Sequence, residues 1–278
     1  MKRAALLLML PLCLGLSVMA QTDSTAHSTA GTDSTEAPSR KHRLRNLPYN
    51  KNIIKTNLSS IALNNYGLTY ERMIARKISA SLGYRFMPKT YLAKTALTEK
   101  VMDYFEDGDG EITQQLDKLQ MSGNAITAEI RFYTGRRAGA KGFYAGVYGR
   151  YASFKYDYPY DFELPTEKRL VPLTGKSSGI GGGIILGGQF NLHKHVIVDL
   201  FIIGGHYGNL SGKVEGLTDL SDLDEQQRAD LKDDVESLIE IGGKKNITAE
   251  VRNDGLRADV KMPFVGVRGL GLTIGISF

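Results

Sequence analysis

The chain has 278 residues, a formal net charge of +5, one cysteine and no tryptophan. The cysteine, Cys13, lies in an N-terminal apolar run that reads as a cleaved leader, which excludes disulfide frameworks and thiol catalysis from the mature chain. The basic excess is not a nucleic-acid footprint, because no basic stripe with interleaved aromatics occurs. No later segment offers the ~18 consecutive apolar residues of a spanning helix.

In the leader, residues 1–20, Lys2 and Arg3 precede the run Ala4 to Val18, and Val18-Met19-Ala20 gives a small-x-small cleavage site. The mature start is expected at Gln21. A lipoprotein would carry a small residue where Leu12 stands before Cys13. Residues 21–48 read as a flexible Ser/Thr-rich periplasmic tail. They repeat Thr22-Asp-Ser-Thr25 as Thr32-Asp-Ser-Thr35 and then run into Arg40, Lys41, His42, Arg43 and Arg45. So little apolar surface cannot offset ordering entropy. A spacer is the plain reading. The Asp-Ser-Thr triplets also look like acceptors of periplasmic O-glycosylation, which would fall on Ser24 and Ser34.

Residues 49–278 carry period-two alternation, the mark of strands with two unlike faces. Eight strand candidates follow in order: Asn52 to Ala62, Tyr66 to Ile74, Lys77 to Met87, Asn124 to Tyr133, Gly142 to about Tyr156, Lys176 to Phe190, His195 to about Tyr207, and Pro263 to Phe278. Each reaches the roughly 9–11 residues that a tilted strand needs to cross a bilayer. In the fifth, Arg150 and Tyr151 have ambiguous facing, and a bulge near Ala152 is expected to reconcile its halves.

The connections alternate. Ala75-Arg76, Gly135 to Lys141 and Asn191 to Lys194 are short; Thr90 to Gly123, Asp157 to Gly175 and Gly208 to Lys261 are long. Leu63 to Asn65 is the exception, tight on the long side. Short turns at one end and long loops at the other describe an outer-membrane barrel rather than a β-sandwich. Eight strands put both ends of the chain on the periplasmic side. The short turns are basic and the long loops acidic, with Asp103, Glu106, Asp107 and Glu111 in one, and Asp222, Asp224, Asp230 and Asp234 in another. Both acidic loops look partly helical, the later one over Asp219 to Ile241 with Gly242-Gly243 as its stop. The expected fold is therefore all-β: an eight-stranded antiparallel up-and-down transmembrane β-barrel with helical extracellular loop insertions.

Charged residues on the expected inward faces are Lys55, Glu71, Arg85, Glu129, Arg131, Arg150, Asp199 and Arg268. An eight-stranded barrel is about filled by side chains, and unpaired buried charge is costly. These eight are expected to form an ion-pair network that plugs the lumen; a narrow gated pore is the alternative. Nucleotide binding fails on motif. Thr174-Gly175-Lys176-Ser177 has Leu170 where a phosphate loop needs glycine. Asp107-Gly-Asp-Gly-Glu111 has Ile112 where a calcium loop needs glycine. His206 with Ser211 nearby is thin support for an outer-leaflet lipid-modifying enzyme. No cofactor and no catalytic residue is assigned. Acidic outer loops beside anionic lipopolysaccharide would need bridging divalent cations.

The end of the chain alternates Leu270, Leu272, Ile274, Ile276 and Phe278 against Gly269, Gly271, Thr273, Gly275 and Ser277. It resembles the last strand of outer-membrane barrels, which closes on an aromatic residue. The resemblance implies that Leu272, Ile274, Ile276 and Phe278 form the signal read by the barrel-assembly machinery. The stretches Lys51-Asn-Ile-Ile-Lys-Thr-Asn-Leu58, Leu68-Thr-Tyr-Glu-Arg72 and Lys77-Ile-Ser-Ala-Ser-Leu-Gly-Tyr-Arg85 are similar to a family of small outer-membrane barrels, OmpA/OmpX-like in size, from Gram-negative anaerobes. Its function is unknown, so the resemblance implies fold and location and lends no site residues.

Overall fold

Alternation along the chain is realised as a closed ring of strands. The computed structural model describes residues 49–61, 63–91, 118–135, 137–163, 168–241 and 243–278. The leader, the tail with Ser24 and Ser34, and the segment Asp107 to Glu111 lie outside the described residues.

The elements are β1 (Asn52–Asn57), α1 (Leu58–Ile61), β2 (Tyr66–Ala75), β3 (Ile78–Tyr91), β4 (Gln120–Tyr133), β5 (Gly142–Glu163), β6 (Lys168–Asn191) and β7 (Val196–Leu217). They continue with α2 (Glu225–Ser237), β8 (Glu240–Ile241), β9 (Lys244–Lys245), β10 (Ile247–Arg252), β11 (Gly255–Pro263), β12 (Gly266–Arg268) and β13 (Gly271–Ser277). Strands β1 to β7 pair antiparallel in sequence order. β13 closes the ring, lying between β1 (Ile54 opposite Ile276) and β7 (Val198 opposite Ile274). This is an eight-stranded antiparallel up-and-down barrel.

Several expected boundaries are corrected. β1 stops at Asn57, and Leu58 to Ile61 form a helical turn in which Asn57 Oδ1 accepts from Ser60 N. The eighth staff of the barrel is broken at Gly269-Leu270 into β12 and β13. No bulge occurs near Ala152: β5 holds an unshifted register with both neighbours, Arg150 facing inward and Tyr151 outward. The largest correction concerns the long connections. Much of Asp157 to Gly175 is strand, not loop. Gly208 to Lys261 contains the rest of β7, the helix α2 and the hairpin β10–β11, whose second strand pairs back onto β7 from Gly255 to Pro263. Helix α2 ends at Ser237, before the expected Gly242-Gly243 stop.

β5, β6 and β7 are 22, 24 and 22 residues long, about twice what a tilted strand needs to cross a bilayer. Their two halves follow opposite patterns. In the half nearest the short turns, Phe143, Val147, Tyr151, Ile180, Ile184, Leu186 and Ile202 are exposed on the outside while Gln189 and Asp199, beside Arg131 of the neighbouring β4, are buried inside. In the other half, Lys155, Lys176 and Lys213 are exposed outside while Tyr156, Leu173, Leu210 and Val214 are buried inside. The changeover falls near Ala152, Gly179 and Leu210.

The inverted half encloses a conventional hydrophobic core. Leu231 and Val235 of α2 and Leu220 and Leu223 before it pack with Ile247, Ala249, Leu256 and Val260 of the hairpin and with Val171 and Leu173. Asp224 starts α2 with a capping box: its carboxylate accepts from Gln227 N at 2.7 Å and its own N donates to Gln227 Oε1 at 3.1 Å. That cap satisfies orphan donors of the first turn. Arg169 then ties the start of this segment to β6 by a two-pronged contact with Asp222, at 2.5 and 2.7 Å. Such a fork matches carboxylate geometry.

Candidate functional site: the barrel interior

Alternation alone brings the lumenal charges together, because residues two apart on neighbouring strands share the inner face. β1 supplies Lys55, β2 Glu71, β4 Glu129 and Arg131, and β7 Asp199. Lys55 Nζ lies 2.5 Å from Glu71 Oε2 and 2.6 Å from Asp199 Oδ2, and donates to Gln189 Oε1 at 2.9 Å. Arg131 bridges the carboxylates on its other side, with Nη1 2.6 Å from Asp199 Oδ2 and Nη2 2.6 Å from Glu129 Oε2. Arg268 donates to Glu129 Oε1 at 3.2 Å.

Uncharged donors complete the layer. Tyr133 OH donates to Glu71 Oε1 at 2.7 Å, Tyr144 OH to Asp199 Oδ1 at 2.9 Å, and Ser79 Oγ also donates to Glu71. Gln189 Nε2 donates to Ala140 O at 3.1 Å, which fastens the layer to the short connection before β5. The Arg131 guanidinium lies over the Tyr144 ring, 4.5 Å from its centroid. Two cations thus hold three carboxylates in a cross-linked plate that touches β1, β2, β4 and β7. Low dielectric makes such a plate strong when complete and costly when one member is missing.

Six of the eight sequence-derived charges, Lys55, Glu71, Glu129, Arg131, Asp199 and Arg268, are joined by these contacts. Arg85 and Arg150 sit further along β3 and β5 toward the long-connection end, on the same inner face. Gln189, Tyr133 and Tyr144 were not anticipated. Tyr133 and Tyr144 share inward parity with Arg131 and Arg150 and were findable on that ground. Gln189 sits in a glycine-rich strand whose alternation is too faint to assign a face.

His206 and Ser211 are not brought together. His206 is buried in the lumen, with Nδ1 3.1 Å from Tyr148 OH and its ring against Phe264, while Ser211 is exposed on the outside of β7. A hydroxyl nucleophile needs its base within hydrogen-bond reach, so this pair offers no hydrolase site. The C-terminal apolar residues Leu272, Ile274, Ile276 and Phe278 all point outward and are exposed. Among the described residues no group of three or more His, Cys, Asp or Glu is placed to hold a metal ion.

No family model and no curated protein matches the sequence. Among solved structures the chain is similar to the N-terminal β-barrel domain of Pseudomonas aeruginosa OprF, at 10% identity and TM-score 0.29. It is also similar to Acinetobacter baumannii CarO, at 10% identity and TM-score 0.34, and to CarO2 of the same organism, at 8% and 0.30. Each alignment covers 83% of this chain and 98% of the other. At these scores the barrel rests on its own strand pairing, and nothing of those proteins' roles passes to this chain.

Proposed function

We propose that the chain is a non-enzymatic outer-membrane anchor. Its lower barrel would span the bilayer, its lumen would be closed by the ion-pair plate, and its upper half would stand outside as a folded platform. One observation carries this reading: the pattern inversion along β5, β6 and β7. A strand that is apolar outside and charged inside suits lipid around it; one that is polar outside and apolar inside suits water around it. One strand carrying both in succession is built to cross from lipid to water.

Aromatic residues flank the apolar band, as barrel girdles do. Phe132, Phe143, Phe190 and Phe278 lie toward the short-turn end, and Tyr66, Tyr84, Phe86, Tyr151 and Tyr207 toward the other; all are exposed. The start of the described chain and its end share one rim, where Asn50 Nδ2 donates to Ser277 O at 2.9 Å. That rim would be periplasmic, with Leu272 to Phe278 available to the assembly machinery. The acidic residues of α2 would face outward to a partner, or to lipopolysaccharide through divalent cations.

The test is reconstitution of the mature protein into a planar bilayer, beside a gel run with and without boiling. Heat-modifiable migration with no unitary conductance is the expected result. Reproducible conductance steps would overturn the plugged lumen and leave a pore. A heat-insensitive, fully soluble protein would overturn the membrane reading altogether.

A further inference from the structure

On the outside of the barrel, just past the apolar band, lysines stand side by side. Lys155 of β5 lies directly opposite Lys176 of β6, and Lys176 lies directly opposite Lys213 of β7. All three are exposed on the outer face. Lys261 of β11, also exposed, lies opposite Ser211, two residues nearer the band than Lys213. Opposite residues of antiparallel strands have Cα atoms about 5 Å apart, and like charges in that position are destabilising. No ion pair joins any of the four lysines to a described residue. Carboxylates do stand near: Asp259 opposite Lys213, Glu215 beyond it, and Asp157 beyond Lys155, the last engaged by Lys89 at 2.7 Å.

The strands that carry the lysines set their height. On β5 and β6 the last exposed apolar residues of the band, Tyr151 and Ile180, are four residues from Lys155 and Lys176. Val265, just after β11, is four residues from Lys261. Ser153 and Ser178, a cross-strand pair, fill the outward positions between. Four residues span about 13 Å along a strand, or roughly 10 Å in height at the usual barrel tilt. The headgroup layer on each side of a bilayer is on the order of 5–8 Å deep, and a lysine can extend its ammonium along the surface toward it. The outward order on these strands is therefore apolar, hydroxyl, ammonium. That order complements acyl chain, polar linkage and phosphate.

We propose that the lysine row on β5, β6, β7 and β11 binds the phosphate groups of a phosphorylated outer-leaflet lipid, such as lipid A, directly and without a bridging metal ion. A phosphate seated between neighbouring ammonium groups turns the repulsion along the row into attraction. The site rests on the membrane crossing proposed above. It adds which wall of the barrel meets the headgroups, and by what chemistry.

The test is native mass spectrometry of the folded mature protein in a neutral, phosphate-free detergent containing EDTA. Lipid A is titrated in one arm and lipid A stripped of its phosphates in the other. Preferential retention of the phosphorylated form is expected. Lys155→Gln, Lys176→Gln and Lys213→Gln combined should weaken it roughly a hundredfold, at about fivefold per lysine. Lys77→Gln, Lys141→Gln and Lys194→Gln combined, the same loss of charge at the short-turn rim, should leave it unchanged. Lys176→Gln alone removes the middle charge of the row. It should weaken lipid binding yet raise the urea resistance of the lipid-free protein, and it keeps the test open if the triple variant fails to fold. Equal retention of the two lipids, equal losses in the two triple variants, or binding abolished by EDTA would overturn the proposal. Heat-modifiable migration without a phosphate preference would sink this site and leave the crossing standing. A heat-insensitive, soluble protein that still selects phosphorylated lipid through these lysines would sink the crossing and leave the site.

Discussion

Lys55 Nζ lies 2.6 Å from Asp199 Oδ2, although 144 residues separate the two along the chain. The contact spans β13, the strand that closes the ring between β1 and β7. It therefore forms only when the barrel is shut, and ties closure to charge pairing. Lys55→Met should leave Glu71 and Asp199 short of a buried partner. The expected cost is about 3–5 kcal/mol, the range for breaking one side of a buried pair. Urea unfolding in detergent, followed by loss of heat-modifiable migration, reads it. Adding Asp199→Asn to Lys55→Met should recover part of the loss, because it removes one stranded charge. A double variant less stable than the sum of the singles would refute this coupling.

The upper half makes its own prediction. Leu231 is fully buried between α2 and the hairpin. Leu231→Asp removes that burial and places a carboxylate in the platform core. Truncation alone costs about 2–5 kcal/mol at such a site, and an unpaired charge adds to it. The platform should open while the lower barrel stays shut, since no member of the ion-pair plate touches α2. Limited proteolysis checks this: cleavage within residues 218–246 should rise sharply, with heat-modifiable migration kept. Global unfolding instead would show that barrel and platform fold as one unit.

Eight strands, their order and the inward charges were legible in the sequence because apolar outward and polar inward residues write a strong period-two signal. Tyr156 to Leu173 and Leu210 to Leu217 were not, because there the signal inverts. Among the described residues there, the inward side chains are mostly apolar and the outward ones mostly polar, so the stretch reads as a loop around a soluble core. The facing of His206 was not legible for a sharper reason. The β6–β7 register shifts between Leu186 and Gly187, leaving Ile202 as an extra residue on β7. One extra residue flips every later side chain to the other face. Ile202 and His206 share parity in the sequence, yet one faces out and the other is buried inside. Nothing local in Leu200 to His206 announces the bulge.

Arg169 and Asp222 set a pH dependence on the platform. The hydrogen bond from Arg169 holds the Asp222 carboxyl below the usual aspartate range. A depressed acid contributes stability that is present above its unfolded value and is lost as pH falls through the folded one. The tie should be constant through neutral pH and vanish only in acid below the ordinary aspartate range. Arg169→Gln should raise protease sensitivity of residues 218–224 at neutral pH and make no difference once Asp222 is protonated. A wild-type-to-variant difference that grows on acidification would contradict the assignment. Both groups lie at the surface, so the effect should also shrink in high salt.

The proposed crossing from lipid to water also predicts the depth of the bilayer. Ile184 and Leu217 are both 64% exposed, so composition and accessibility do not distinguish them. Their positions do. Ile184 stands inside the apolar band, between Phe190 toward one rim and Ile180 toward the other. Leu217 ends β7, beyond Lys213 and Glu215, on the polar outer side of the platform. Arginine on the lipid face costs about 2–4 kcal/mol near the bilayer midplane and ~0–1 near the interfaces. Ile184→Arg should therefore slow or block folding into lipid vesicles and lower stability by that larger amount, while Leu217→Arg should fold like the parent. In detergent, where the acyl layer adapts to the protein, the gap between the two variants should narrow. Equal penalties at the two positions would mean that the band around Ile184 does not face lipid, and the crossing from lipid to water along β5, β6 and β7 would have to be abandoned.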